Sequence, residues 1–319
     1  MRISMRWAAL ALVLFLLAGC GGAGKAPAFA ESGGLKVATS FYPLYEFARV
    51  VGGEKIDLIN LVPPGTEPHD WEPTAGHIKA LNSAQVFLYN GAGMEHWVEK
   101  TVKSLQNSSL AVVEASRGFA LLEGAPEDEH GHAGEKDEHG HGAEEFDPHI
   151  WLDPRGAIHM VEQIRDAFVQ ADAANKALYE ANAAAQIAKL KALDAEFAQG
   201  LAQCSSREFF TSHAAFGYLA HRYGLEQHAI MGLAPDAEPT PKELQEIVAE
   251  AREHNVKYIF FETLVSDKVA KVVAQEIGAQ TLVLNPFEGL TDEEIKAGKD
   301  YLAVMRENLT NLKTALDCK

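Results

Sequence analysis

The sequence predicts an α/β protein of two lobes, each a parallel-type sheet flanked by helices, joined by one long rigid helix. Three observations carry this. Short apolar runs of strand length recur between helix-length segments, and parallel strands need such crossover segments between them. The rhythm occurs twice, once in each half of the 319 residues, and a chain of this length suits two domains better than one. Between the halves, Asp153 to about Gly200 has no proline after Pro154 and is rich in Ala, Leu, Lys and Glu.

In chain order, the first element is an export leader. Arg2 and Arg6 accompany the uncharged apolar run WAALALVLFLLA (7–18), which is shorter than the roughly 20 residues a membrane-spanning helix needs. Leu17-Ala18-Gly19-Cys20 resembles the lipobox of bacterial lipoproteins, which implies removal of residues 1–19 and a lipid on Cys20. Ala28-Phe29-Ala30 is a competing A-x-A cleavage pattern, set well beyond the apolar run. Residues 20–34, rich in Gly and Ala, read as a lipidated flexible tether. Residues 1–19 carry two arginines and no acid, so their loss takes the formal net charge from −17 to −19. Such a chain is soluble and repels nucleic acid.

The first lobe is expected over 35–152, with strands at LKVAT (35–39), IDLINLV (56–62), QVFLYN (85–90) and LAVVEA (110–115). Residues 123–145 are acidic, rich in histidine and without apolar periodicity, so they read as a mobile loop. Over 153–200 apolar residues recur at 3,4 spacing, as in Val161, Ile164, Phe168 and Leu190, Leu193, Phe197. A single helix there would be roughly 68 Å long, a backbone along both lobes; the alternative is two helices broken near Ala171 to Asn175. The second lobe, 201–319, offers strands at EFFTS (208–212), KYIFFE (257–262) and TLVLN (281–285). Besides Cys20, the cysteines are Cys204 and Cys318, and in an oxidising exported compartment the pair predicts a disulfide rather than two buried thiols.

The chemistry centres on histidine. His130, His132, His139 and His141 form two H-G-H pairs among Glu127, Asp128, Glu129, Glu135, Asp137 and Glu138, a donor set suited to zinc and its neighbours. An unstructured loop must lose conformational entropy to coordinate anything, so weak, exchangeable metal contact follows. His149 differs, because FDPHIWLDP (146–154) is stiffened by Pro148 and Pro154. Three further stretches place a ligand-type residue in a stiff loop after an expected strand: His69 in PPGTEPHDWEP, His213 in TSHAAFGYLAHRYG and Glu288 in LNPFEGLT. Ligands of open parallel α/β sheets bind beyond the carboxyl ends of strands, so these loops can converge on a metal site in an inter-lobe cleft.

This ordered set, with IMGLAPDAEPT (230–240), resembles the zinc-binding solute receptors of bacterial metal ABC transporters, in a family that also holds manganese receptors and adhesin lipoproteins. The resemblance runs from about Leu35 to Lys319. It implies two α/β lobes on one long helix, with His69, His149 and His213 as ligands and Glu288 as the fourth; Glu67 and Glu262 are weaker candidates for that place. It also implies Zn²⁺ as cargo, a cognate ABC permease as partner, an extracytoplasmic, lipid-anchored location and a monomer. Three imidazoles and one carboxylate suit tetrahedral zinc, whereas the manganese receptors carry a glutamate where His213 stands, a harder set. Asp70, Asp147 and Asp153 are candidates to orient the rings.

Two rivals belong to other classes. A zinc hydrolase would need an open coordination position; the chain has no H-E-x-x-H, and four protein ligands leave none. An adhesin would need an attachment surface, and nothing in the chain resembles an attachment repeat. His77, His96, His159, His221, His228 and His254 read as structural, with His96 the one placed to line a cleft, and Trp71, Trp97 and Trp151 read as packing or cleft walls.

Overall fold

The computed structural model describes residues 27–30, 32–124, 146–235 and 239–319. The leader, Cys20 and the histidines at 130, 132, 139 and 141 lie outside the described residues.

The first lobe runs β1 (Leu35–Thr39), α1 (Tyr42–Gly52), β2 (Ile56–Asn60), α2 (Ala75–Leu81), β3 (Val86–Tyr89), α3 (Val98–Ser104) and β4 (Ala111–Glu114). Its sheet has the order β2-β1-β3-β4, every pair parallel. Central β1 and β3 bury side chains on both faces, including Val37, Ala38, Phe87 and Leu88, as strands covered by helices on each side must. The chain then forms α4 (Pro154–Ala171) and α5 (Lys176–Gly200). In the second lobe β5 (Glu208–His213), α6 (Gly217–Tyr223), β6 (Glu226–Met231), α7 (Pro241–Glu253), β7 (Tyr258–Phe261), α8 (Lys268–Ile277) and β8 (Gln280–Val283) are followed by α9 (Asp292–Lys296) and α10 (Tyr301–Ala315). Its sheet order, β6-β5-β7-β8, repeats the first lobe's pattern, again all parallel.

The helix expected over 153–200 is two helices. Asp153 caps α4 by accepting from the Arg155 N–H at 2.8 Å, with Pro154 at the first helical position. At Asp172 the backbone leaves the helix (φ −141°, ψ 74°), and its carboxylate accepts from Asn175 and the Tyr179 hydroxyl, each at 2.7 Å. These short polar side chains offer the backbone local partners that compete with helix hydrogen bonds. The chain therefore turns, and α4 folds back against α5 and packs on α1. The connecting rod is α5 alone, roughly 37 Å long for 25 residues, touching α1 of the first lobe and α10 of the second.

The second lobe holds one strand more than its apolar runs predict. β6, EQHAIM, lies at the sheet's edge, where its first residues stay partly exposed and no apolar run is required. Cys204 and Cys318 are joined in the disulfide that their number and compartment predict, tying the chain's end to the segment before β5.

Behind the cleft the lobes share one core. Phe287 of the second lobe sits between Tyr42 of α1 and Tyr301 of α10, at 5.3 Å from each ring, and Tyr301 reaches Phe47 at 5.1 Å. Each edge-to-face pair contributes about 0.5–1.5 kcal/mol beyond the area it buries. Two buried hydrogen bonds cross the same seam: the Trp151 indole donates to the Pro286 carbonyl at 2.7 Å, and the Tyr301 hydroxyl donates to the Trp151 carbonyl at 2.5 Å.

Candidate metal centre

Both sheets point the carboxyl ends of their strands into the cleft, and each reverses strand order between its two central strands, the place where such sheets bind ligands. His69 stands in the proline-stiffened loop after β2, and His213 is the last residue of β5. His149 follows the link from β4 and is held as its chain enters α4, while Glu288 lies five residues beyond β8. All four are buried.

Their donor atoms meet at one point. Glu288 Oε1 lies 3.5 Å from His69 Nε2, 3.2 Å from His149 Nε2 and 3.6 Å from His213 Nε2. The Nε2 atoms of His69 and His149 are 3.3 Å apart. A tetrahedral ion with bonds near 2.0–2.1 Å requires donor–donor edges of about 3.3 Å, so these separations already frame a zinc-sized shell. Glu288 Oε1 and His213 Nε2 are buried with no hydrogen-bond partner among the described residues. Buried polar atoms left this way are costly unless something binds them, and a cation at the shared point would satisfy both.

Carboxylates behind the rings decide which nitrogen faces the cleft. His149 Nδ1 donates to Asp147 Oδ1 at 2.8 Å, and the His149 backbone N–H donates to the same oxygen at 2.9 Å. His213 Nδ1 donates to Glu262 Oε1 at 2.6 Å, and Glu262 also accepts from the Ser212 hydroxyl. Such partners fix ring orientation and raise the basicity of the opposite nitrogen. Gly217 makes room for one of them: a Cβ there would stand 2.5 Å from Asp147 Oδ2. Glu288 is aimed by its neighbour, since Phe287 adopts φ 59°, a conformation bulky residues rarely take. The aromatic seam and the Phe287 N–H bond to Asn285 Oδ1 at 2.8 Å hold it there.

The charges are coupled. Burial lowers the tendency of His149 to protonate, but the bond to Asp147 and the charge of the adjacent Glu288 carboxylate outweigh this and raise its pKa to about 9. His213 is buried too, yet Glu262 and Glu288 hold its pKa well above the ordinary value. Burial alone would raise Glu288, but the three histidines keep it ionised well below the ordinary carboxylate range. Burial, with Glu288 nearby, pushes Glu67 up to about 7.

Of the sequence candidates, His69, His149, His213 and Glu288 come together and the two weaker acids do not join them. Glu262 serves His213 from behind, and Glu67 accepts from the His69 backbone N–H at 3.0 Å. Of the three aspartates near the ligands, Asp147 takes the orienting role, Asp153 caps α4 and pairs with Arg155, and Asp70 is exposed. His77 caps α2 through Thr74, His159 bonds the Arg117 carbonyl, and His96 and His221 are exposed. Trp151 goes beyond its expected packing role through its bond to Pro286; no sequence signal pointed to that, because the bond joins residues 135 positions apart.

The family pattern of the periplasmic zinc-uptake complex component A, ZnuA, matches residues 37–315. The chain is 42% identical over 286 residues to the zinc-binding lipoprotein AdcA of Streptococcus pneumoniae, covering 89% of this chain and 56% of that protein. It thus spans little more than half the length of that relative. Against the high-affinity zinc uptake system protein ZnuA of Bacillus subtilis it is 42% identical over 315 residues, 98% of each. The Zn(II)-bound ZnuA-like domain of S. pneumoniae AdcA superposes with a TM-score of 0.76 at 40% identity, covering 89% of this chain and all of that one.

Proposed function

The chain belongs to the ZnuA family of zinc-uptake components, and from that premise we propose that it is an extracytoplasmic receptor that captures Zn²⁺ in its cleft and delivers it to an ABC permease. The observation that carries the reading is the buried set of three imidazole nitrogens and one carboxylate oxygen, spaced as a tetrahedral shell and left without partners at Glu288 Oε1 and His213 Nε2. The metal is cargo rather than a reagent. Four protein donors fill a tetrahedral shell and leave no position for an activated water, which favours a receptor over a hydrolase.

In this reading His69, His149, His213 and Glu288 ligate the ion, with Asp147 and Glu262 orienting two of the rings. The lipid on Cys20 keeps the receptor at the membrane and raises its effective concentration near the permease. The histidines at 130, 132, 139 and 141 act as a softer auxiliary set, and the receptor works as a monomer. Release requires loosening the ligands of one lobe. The aromatic seam opposes free hinge motion, so docking on the permease supplies that push.

A chelator-competition titration of Zn²⁺ and Mn²⁺ on the mature chain and on His213→Ala tests this. One tight zinc equivalent, far weaker manganese binding and loss of the tight class in the variant are expected. Tight zinc binding unaffected by His213→Ala would move the capture site elsewhere.

A further inference from the structure

A second group of metal-ligating side chains lies on the second lobe, away from the cleft. We propose that Glu208, His228 and His254 form an additional, weaker site for a divalent cation of the zinc class. The strand register builds it. Phe210 of β5 pairs with His228 of β6, and Glu208, two residues before Phe210, shares its face of the sheet because side chains alternate. Helix α7 covers this face and supplies the rest: Glu250 and His254 are four residues apart, on one side of the helix end.

The contacts match that construction. His228 stacks on Phe210 with ring centroids 4.5 Å apart, and the rings of His228 and His254 are 5.0 Å apart. His254 Nδ1 pairs with Glu208 Oε2. One donor atom from each of the three residues lies within 4.8 Å of the others. His228 Nδ1 donates to Glu250 Oε1 at 2.7 Å, while its Nε2 is buried with no hydrogen-bond partner among the described residues. A ring fixed by a carboxylate on one nitrogen, presenting the other, is the arrangement found at His149 and His213 in the cleft.

Two imidazoles and one carboxylate bind zinc-class ions and leave a fourth position to water. His254 Nδ1 and Glu208 Oε2 are paired with each other rather than spaced at the edges of about 3.3 Å that zinc requires, and these partly exposed side chains must move apart to close a shell around an ion. Weaker binding than in the cleft follows. The site is separate from the first: Glu208 opens β5 and His213 ends it, roughly 16 Å away along the strand.

Equilibrium dialysis of the full mature chain against zinc, beside His254→Ala and Glu208→Gln, tests the proposal. Each variant is expected to bind one weakly held equivalent fewer than the parent, with the tight class unchanged. Weak binding by the histidines of 130–141 is common to all three proteins and cancels in the difference. His254 is exposed, so its replacement leaves folding intact, and matching thermal unfolding curves check this. Equal zinc counts in parent and both variants would overturn the proposal, leaving Glu208 and His254 a surface ion pair. His213→Ala, by contrast, depletes only the tight class, so failure of the cleft and failure of this site read out separately.

Discussion

His213 Nδ1 and Glu262 Oε1 lie 2.6 Å apart with both residues buried, so the carboxylate accepts the ring proton and Nε2 is the nitrogen left to face the cleft. A ligand turned the right way before the ion arrives spares the site the entropy of ordering it.

Replacing Glu262 therefore weakens zinc binding without removing a ligand. Glu262→Gln keeps an oxygen that can accept from the ring but loses its charge, and about a tenfold loss is expected. Glu262→Ala leaves the ring unheld, and the loss approaches about 100-fold. Chelator competition on both variants checks this; equal affinities across parent, Gln and Ala would show that the contact does no orienting.

His213→Glu changes the kind of ion preferred. It exchanges a nitrogen for a carboxylate, giving two nitrogens and two oxygens, a harder set that suits manganese better than the parent's does. The ratio of zinc to manganese affinity is expected to fall by about tenfold or more, read from parallel titrations with the two ions. Glu288→Gln keeps all three imidazoles and an oxygen in place, so it weakens zinc less than His213→Ala does.

The metal-free protein has a distinct pH signature. The His149 pKa is raised from 6.5 to about 9, so its favourable contribution is complete below 6.5 and fades as pH rises through 9; a shift of this size is worth on the order of 3 kcal/mol. His213, also raised, acts in the same sense. Glu288 is lowered, so its contribution is present above its ordinary value of 4.5 and is lost as pH falls through the depressed one. Zinc must displace the protons on His149 and His213, and its affinity rises over the same alkaline range in which the empty site loses stability. Scanning fluorimetry at pH 6.5, 7.5 and 9 should show the zinc-induced rise in Tm growing with pH, and a constant rise would contradict the coupling.

Much of this was legible in the sequence, and the rest was hidden for physical reasons. β1 follows LKVAT residue for residue because a central strand buries both faces, and four of its five residues are buried, with Lys36 near the strand's start half-buried. β6 escaped because an edge strand beginning Glu226-Gln227-His228 has no such need. The break at Asp172 is masked by alanines on both sides that suit a helix, and the contacts of the Asp172 carboxylate with Asn175 and Tyr179 show which of the two alternatives the chain takes. His69, His149, His213 and Glu288 could be named because stiff loops after strands mark ligand positions. Which acid stands behind which ring is a tertiary fact: Glu262 reaches His213 across 49 residues of sequence. The family resemblance supplied the zinc assignment, which donor chemistry alone narrows only to zinc and its neighbours.

Trp151 couples the seam to the site. Its indole N–H donates to the carbonyl of Pro286, two residues before Glu288, while its own backbone lies two residues after His149. Trp151→Phe keeps an aromatic ring against Phe41, whose centroid lies 4.9 Å away, and removes the donor. The Pro286 carbonyl is then buried without its partner, a loss of about 1–3 kcal/mol, and the loop carrying Glu288 is freed relative to His149. Zinc should leave faster while associating at a similar rate, since the entrance is unaltered and looser ligands act mainly on escape. Stopped-flow release into excess chelator measures this directly. An off-rate equal to the parent's, with Tm lowered, would mean that the seam holds the lobes together without holding the ion.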